Sequence, residues 1–143
     1  MDWVFVLQPP SPLRRTSDLT GALDLALAHK PTAVISVCEA PNSHPLKLKV
    51  IEDGMIEPYD PNWREGLRRQ DFTPKVYKTN GAIYLVRRDV LMERNSLWGD
   101  RVLPFVMPPE RSIDIDCLLD FQMATPMVTG YDETQTAQTG RQR

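Results

Sequence analysis

Two short apolar runs constrain this chain more than any other feature. Trp3-Val4-Phe5-Val6-Leu7 and Ala33-Val34-Ile35-Ser36-Val37-Cys38 are rich in aromatic or β-branched residues and too short for helices. Between them Leu19, Ala22, Leu23, Ala26 and Leu27 share one helical face. Thr16 or Ser17 can cap that helix, Asp18 suits its first turn, and Lys30-Pro31 ends it. Apolar runs without polar alternation belong to strands buried on both faces, so the opening reads as a β-α-β unit of a parallel sheet. Gln8-Pro9-Pro10-Ser11-Pro12 must leave the first strand as a loop, because three prolines remove three backbone donors. A strand that looks central yet begins almost at Met1 leads to the expectation that earlier strands of the sheet precede it.

The middle of the chain changes character. Leu46, Leu48 and Val50 alternate with Lys47, Lys49 and Ile51, and Asp53-Gly54 then marks a tight turn before Met55-Ile56. This is a hairpin signal, with one face wet or at an interface. Residues 58–79 read as an ordered, irregular excursion containing Trp63, Arg64, Arg68 and Arg69. Gly81 to Val86 is a further buried strand, Arg88 to Arg94 a short helix, and Val102 to Met107 another strand. Cys117, Leu118, Phe121 and Ala124 mark a last helix, for which Asp116 is a natural cap. Residues 1–127 therefore form one domain, with an arm at about 44–79, and 128–143 are expected as a polar, disordered tail.

Composition narrows the partners. Nineteen acids against 17 bases give a net charge of −2, so no global field attracts nucleic acid, and any anion site is local. No run approaches the ~18 apolar residues of a membrane span. Met1-Asp2-Trp3-Val4 lacks the basic and apolar segments of a secretory signal. Two cysteines make no disulfide framework, so a reduced, cytoplasmic setting is expected. All seven glycines stand alone, which excludes the usual glycine-rich phosphate cradles. His29 and His44 have no Cys or His at ligand spacing, so neither zinc nor a hydrolytic triad is expected.

Three stretches could carry chemistry. Ser112-Ile113-Asp114-Ile115-Asp116 places two carboxylates on one side of an extended segment, which suits a hard cation such as Mg²⁺. Equally, Asp116 could only cap its helix. Arg14-Arg15 and Arg68-Arg69 are anion-binding forks or solvated charge. Asn80-Gly81 is a turn or a functional element.

The order of these segments is more specific than any one of them. Leu7-Gln8-Pro9-Pro10-Ser11-Pro12-Leu13-Arg14, Ser36-Val37-Cys38-Glu39-Ala40, His44-Pro45-Leu46-Lys47 and Arg68-Arg69-Gln70-Asp71 follow one another. Tyr77 with Asn80-Gly81-Ala82-Ile83-Tyr84, then Pro108 through Asp116, complete the series. From about Val4 to about Ala124 this resembles the acylneuraminate cytidylyltransferases, the CMP-sialic acid synthetases and their relatives acting on other nonulosonic acids. The resemblance implies an α/β three-layer sandwich, a Rossmann-like nucleotide-sugar transferase fold, working as a homodimer. It implies a Mg²⁺-dependent reaction of CTP with an N-acylneuraminate or related acid, giving the CMP-sugar and pyrophosphate. By the same resemblance Asp114 and Asp116 hold the metal, and Arg69 is the active-site arginine. Gln8, Lys47 and Asn80 contact substrate, and the Leu46–Met55 hairpin dimerises, with Leu97-Trp98 in the interface.

The family's Ala-Arg-Gly-Gly-Ser-Lys-Gly-type triphosphate loop is not found in these residues. The expectation is thus an N-terminally incomplete synthetase domain of little turnover by itself. The alternative is a non-catalytic module that pairs with a complete synthetase subunit.

Overall fold

The computed structural model describes the backbone of residues 2–139 and the side chains of residues 2–128. The chain divides into two compact units, Met1–Val37 with Thr79–Arg143, and Cys38–Lys78.

The first unit is mixed α/β. Strands β1 (Trp3–Val6), β2 (Ala33–Glu39), β5 (Tyr77–Arg87) and β6 (Val102–Val106) form one sheet in the order β1-β5-β2-β6. β2 and β6 are parallel, with Ala33 opposite Val102 and Val37 opposite Val106. β1 runs antiparallel to β5, pairing Trp3 with Arg87 and Val6 with Tyr84. Side chains alternate between two cores, as the pleat demands. Val34, Ile83 and Leu85 join Ala22 and Ala26 of helix α1 (Thr16–His29) on one face. Ala33, Ile35 and Val86 join Val90 of helix α2 (Arg88–Arg94) on the other. Helices thus cover both faces. Leu27, expected on the buried side of α1, is exposed, and Leu25 packs instead.

The first strand departs from expectation. β1 lies at one end of the described sheet order, antiparallel to its neighbour and half-buried throughout, rather than central in a parallel sheet. Its continuous apolar character has another cause: Trp3 and Phe5 pack into the α1 core while Val4 packs into the α2 core. Such a run reports two covered faces, and it does not report two covered edges.

Helix α3 (Leu118–Thr139) also differs. Its backbone continues through 128–139, past Pro126 within the helix, where a disordered tail was expected. Residues 140–143 of that tail lie outside the described residues.

In the second unit β3 (Lys49–Glu52) and β4 (Met55–Pro58) form the expected antiparallel hairpin. Asp53 and Gly54 turn it with φ of 51° and 78°, the left-handed pair a tight hairpin turn requires. Leu46 and Lys47, expected in its first strand, lie in a 3₁₀ turn before it (Pro45–Lys47). Pro45 at the first position of that turn supplies the fixed φ.

Candidate functional site

The site of the first unit is built where β1 and β6 end. The prolines after β1 stop the ladder, so the chain turns at Gln8–Ser11, closed by Ser11 N–H donating to the Gln8 carbonyl at 3.4 Å. The segment after β6 passes through a 3₁₀ turn (Pro109–Arg111) and reaches Asp114 and Asp116. The two loops are tied together by Ile115 N–H donating to the Pro10 carbonyl at 2.9 Å. Open α/β sheets place their ligands at such strand ends.

Asn80 organises the floor of this site. Its side chain is 1% exposed and every hydrogen-bonding position is occupied. Oδ1 accepts from Ser36 Oγ at 2.6 Å and from Ala82 N–H at 3.3 Å, and Nδ2 donates to Ser112 Oγ at 2.8 Å and Met107 Sδ at 3.5 Å. Asn80 thus joins β5, β2 and the loop after β6 from inside the protein. As a substrate contact it is poorly suited, because no donor or acceptor is left over. Asn80-Gly81 is also no turn between elements, since both residues lie within β5.

Ser11 is equally buried and links the loops across this floor. Its Oγ lies 3.0 Å from the Asn80 carbonyl and 3.4 Å from Asp114 Oδ1. Gly81 sits between these groups with φ of 69°. A methyl in place of its hydrogen would lie 2.6 Å from Gln8 Oε1, 3.0 Å from Ser11 Oγ and 3.3 Å from Asp114 Oδ2. Gln8 and Asp114, 106 residues apart in sequence, are therefore brought to one spot.

Asp114 is half-buried, whereas Asp116 is exposed. The cap expected of Asp116 is supplied by Asp120 instead, whose Oδ2 accepts from Asp116 N–H at 3.0 Å and Cys117 N–H at 2.9 Å. The Asp116 carboxylate is left facing solvent. Among the described residues no group of three or more His, Cys, Asp or Glu is placed to hold a metal. Two carboxylates remain a fitting donor set for Mg²⁺, which keeps several waters and takes the rest from phosphates.

Arg14 is tied to the backbone through one end of its guanidinium. Its Nη1 donates to the Ala82 carbonyl at 2.6 Å, and burial lowers its pKa from the ordinary value. Arg111 fixes the Ser112–Asp116 segment through Asp18 in the first turn of α1, at 2.8 Å. Sequence reasoning gave no role to Ser11, Ser36 or Ser112, and it left Gly81 as part of a turn or a functional element. Ser36 did carry a signal, a hydroxyl inside an apolar strand that must find a partner.

Lys47 and Arg69 belong to the second unit, and both are exposed. Lys47 Nζ donates to Asn42 Oδ1 at 3.1 Å. Arg69 opens a 3₁₀ turn (Arg69–Asp71) closed by Asp71, whose Oδ2 accepts from Arg68 N–H at 2.9 Å. That bond first, then the Arg68 guanidinium, holds the Asp71 carboxyl below the usual carboxylate range. His44 is buried and stacked on Phe72 at 5.1 Å, with both ring nitrogens engaged by backbone groups of Leu46 and Pro74. It is a packing residue. Cys38 and Cys117 are free thiols, and no helix among the described residues is long and apolar enough to cross a membrane.

No protein-family profile matches the chain. Several curated proteins resemble it over most of its length. Post-translational flagellin modification protein B of Campylobacter coli is 25% identical over 122 residues, covering 85% of this chain and 51% of the relative. An N-acylneuraminate cytidylyltransferase of Streptococcus agalactiae is 29% identical over 116 residues, 81% of this chain and 28% of the relative. N-acylneuraminate cytidylyltransferase A of Danio rerio is 30% identical over 134 residues, 92% of this chain and 30% of the relative. The chain thus spans about half or less of the length of these relatives. Over most of its own length it is similar in sequence to N-acylneuraminate cytidylyltransferases, the family its ordered motifs resemble.

Proposed function

We propose that this chain serves the transfer of a cytidylyl group from CTP to an N-acylneuraminate or related nonulosonic acid, giving the CMP-sugar and pyrophosphate with Mg²⁺ as cofactor. The observation that carries this is the convergence of Gln8, Ser11 and Asp114 on Gly81 at the ends of β1 and β6. It places an exposed amide beside a carboxylate in a chain similar to proteins named for that reaction.

Asp114 and Asp116 are the residues that would hold Mg²⁺, which supplies charge neutralisation at phosphoryl oxygens. Gln8 orients the sugar, because its amide can both accept from and donate to hydroxyls. Arg69 offers a planar fork for the sugar carboxylate or a phosphate, and Lys47 a second cation. Asn80 acts from inside, keeping Ser112 and the Ser36 strand in register with the site. On this reading the first unit is part of a Rossmann-like nucleotide-sugar transferase fold, and the hairpin is its dimerisation arm.

Equilibrium binding of CMP-N-acetylneuraminate to the chain in Mg²⁺ tests the assignment. Gln8→Ala and Asp116→Asn should each weaken it about tenfold, the scale of a lost charge-assisted contact. Absence of saturable binding, or indifference to both changes, would overturn it.

A second reading, a non-catalytic module that pairs with a complete synthetase subunit, is favoured by the exposed Ile51 and Ile56 of the hairpin. Pyrophosphate release from CTP and N-acetylneuraminate by the chain alone excludes that reading. No release, together with capture of a complete synthetase by the immobilised chain, supports it.

A further inference from the structure

We infer that Gly81 is a positioning residue that sets the separation between Gln8 and Asp114, and that its lack of a side chain is what lets both approach one spot. This rests on the assignment of Gln8 to the substrate side. The left-handed backbone already favours glycine here, as it does at Gly54 and Gly66, with φ of 78° and 82°, where a methyl would meet nothing within 4 Å; Gly81 carries a second demand, for space. At Gly81 the same methyl would meet Gln8 Oε1 at 2.6 Å, Ser11 Oγ at 3.0 Å and Asp114 Oδ2 at 3.3 Å.

The backbone at residue 81 has nowhere to retreat. It lies within β5, and its two neighbours are held: Asn80 by Ser36 and Ser112, and the Ala82 carbonyl by Arg14. Ser11 is buried and Asp114 half-buried, whereas Gln8 is exposed and ends in a flexible amide. A side chain at position 81 therefore displaces the Gln8 amide first. It next presses on Ser11 Oγ, whose single proton faces two acceptors, the Asn80 carbonyl and Asp114 Oδ1.

The test is Gly81→Ala, read by the side-chain amide resonances of Gln8 in the ligand-free chain and by affinity for CMP-N-acetylneuraminate. Gln8→Ala identifies the resonances by their loss. The Gln8 pair should shift or broaden, and affinity should fall about tenfold or more, the scale of a lost polar contact. Gly54→Ala, with the same backbone demand but open space, should leave the Gln8 pair where it is. An unmoved Gln8 amide in folded Gly81→Ala overturns the inference whether or not the chain binds ligand. Failure of the cytidylyltransferase assignment shows separately, as no binding by the unaltered chain. Should Gly81→Ala not fold, the double variant Gly81→Ala/Gln8→Ala decides: recovered folding supports displacement of Gln8, and continued unfolding overturns it.

Discussion

The Asp18 carboxylate, 2% exposed in the first turn of α1, receives Arg111 Nη2 on Oδ1 at 2.8 Å and Nε on Oδ2 at 3.2 Å. Oδ2 also accepts from Arg15 N–H at 2.9 Å. One acid thus closes the helix start and anchors the loop after β6 immediately before Ser112. The pair raises the Arg111 pKa above its ordinary value, chiefly through the Asp18 hydrogen bonds. Removing the arginine alone strands a buried charge, so Arg111→Met should destabilise the chain by about 3 kcal/mol, discounted for the partial exposure of Arg111. Asp18→Asn/Arg111→Met should recover much of that loss. Urea unfolding of both variants checks it, and equal losses would mean the ion pair is not the cause.

Asn80→Ala should be costlier than most buried polar substitutions. It removes the acceptor 2.6 Å from Ser36 Oγ and the donor 2.8 Å from Ser112 Oγ in a buried setting, while Ser36 keeps Ile83 and Ser112 keeps the Pro108 carbonyl. A loss of about 2–3 kcal/mol follows from the lost buried hydrogen bonds and the small cavity. A change below about 1 kcal/mol in denaturant unfolding would show that water or a rearranged Ser112 replaces the amide.

Burial in this fold was legible in the sequence, whereas strand neighbours were not. The apolar runs at Trp3–Leu7 and Ala33–Cys38, the spacing of Ala22 and Ala26, and Asp53-Gly54 placed β1, β2, α1 and the hairpin turn within a few residues. Pairing depends on contacts far apart in sequence, so the antiparallel β1–β5 ladder left no local mark. The site divides the same way. Gln8 and the two aspartates were visible as residue types in a recognisable order. The closeness of Gln8 to Asp114, and the saturation of Asn80, are three-dimensional facts that no spacing encodes.

The hairpin offers an association surface that can be removed without unfolding it. Ile51 and Ile56 are directly opposed across β3 and β4 and are 78% and 69% exposed. Ile51→Glu/Ile56→Lys replaces the apolar pair with an opposite-charge pair at the same cross-strand position, which sheets tolerate. If the hairpin is a dimerisation arm, sedimentation velocity should show self-association of the unaltered chain and a monomer for the variant. An identical mass for both would remove the hairpin from the interface.

Acid should loosen the turn that presents Arg69. Asp71 is held below the usual carboxylate range, first by the Arg68 N–H and then by the Arg68 guanidinium at 3.6 Å. A folded pKa below the unfolded one, near 4, means the contribution is complete above that value. It is lost as pH falls through the folded pKa. The Arg68 amide resonance should therefore shift on titration below about pH 4, in step with Asp71. Asp71→Asn should abolish that shift, and a shift that persists in Asp71→Asn would assign it to another group.

Metal affinity should depend on both aspartates but unequally on company. Asp116 is exposed and its carboxylate is not engaged among the described residues, so a cation there costs little reorganisation. Asp114 is half-buried beside Ser11 Oγ, which can donate to one of its oxygens and leave the other turned toward Gly81. Two carboxylates alone bind a hexahydrated Mg²⁺ weakly, and phosphate oxygens supply the missing ligands. Mn²⁺ titration, followed by water-proton relaxation, should show weak binding to the chain that tightens with CTP. Asp114→Asn and Asp116→Asn should each reduce the CTP-dependent affinity about tenfold or more, as loss of a charged ligand does. Ser11→Ala should reduce it less, because it frees Asp114 rather than removing it. Equal Mn²⁺ affinity in all four proteins would dismiss the aspartate pair as a metal centre.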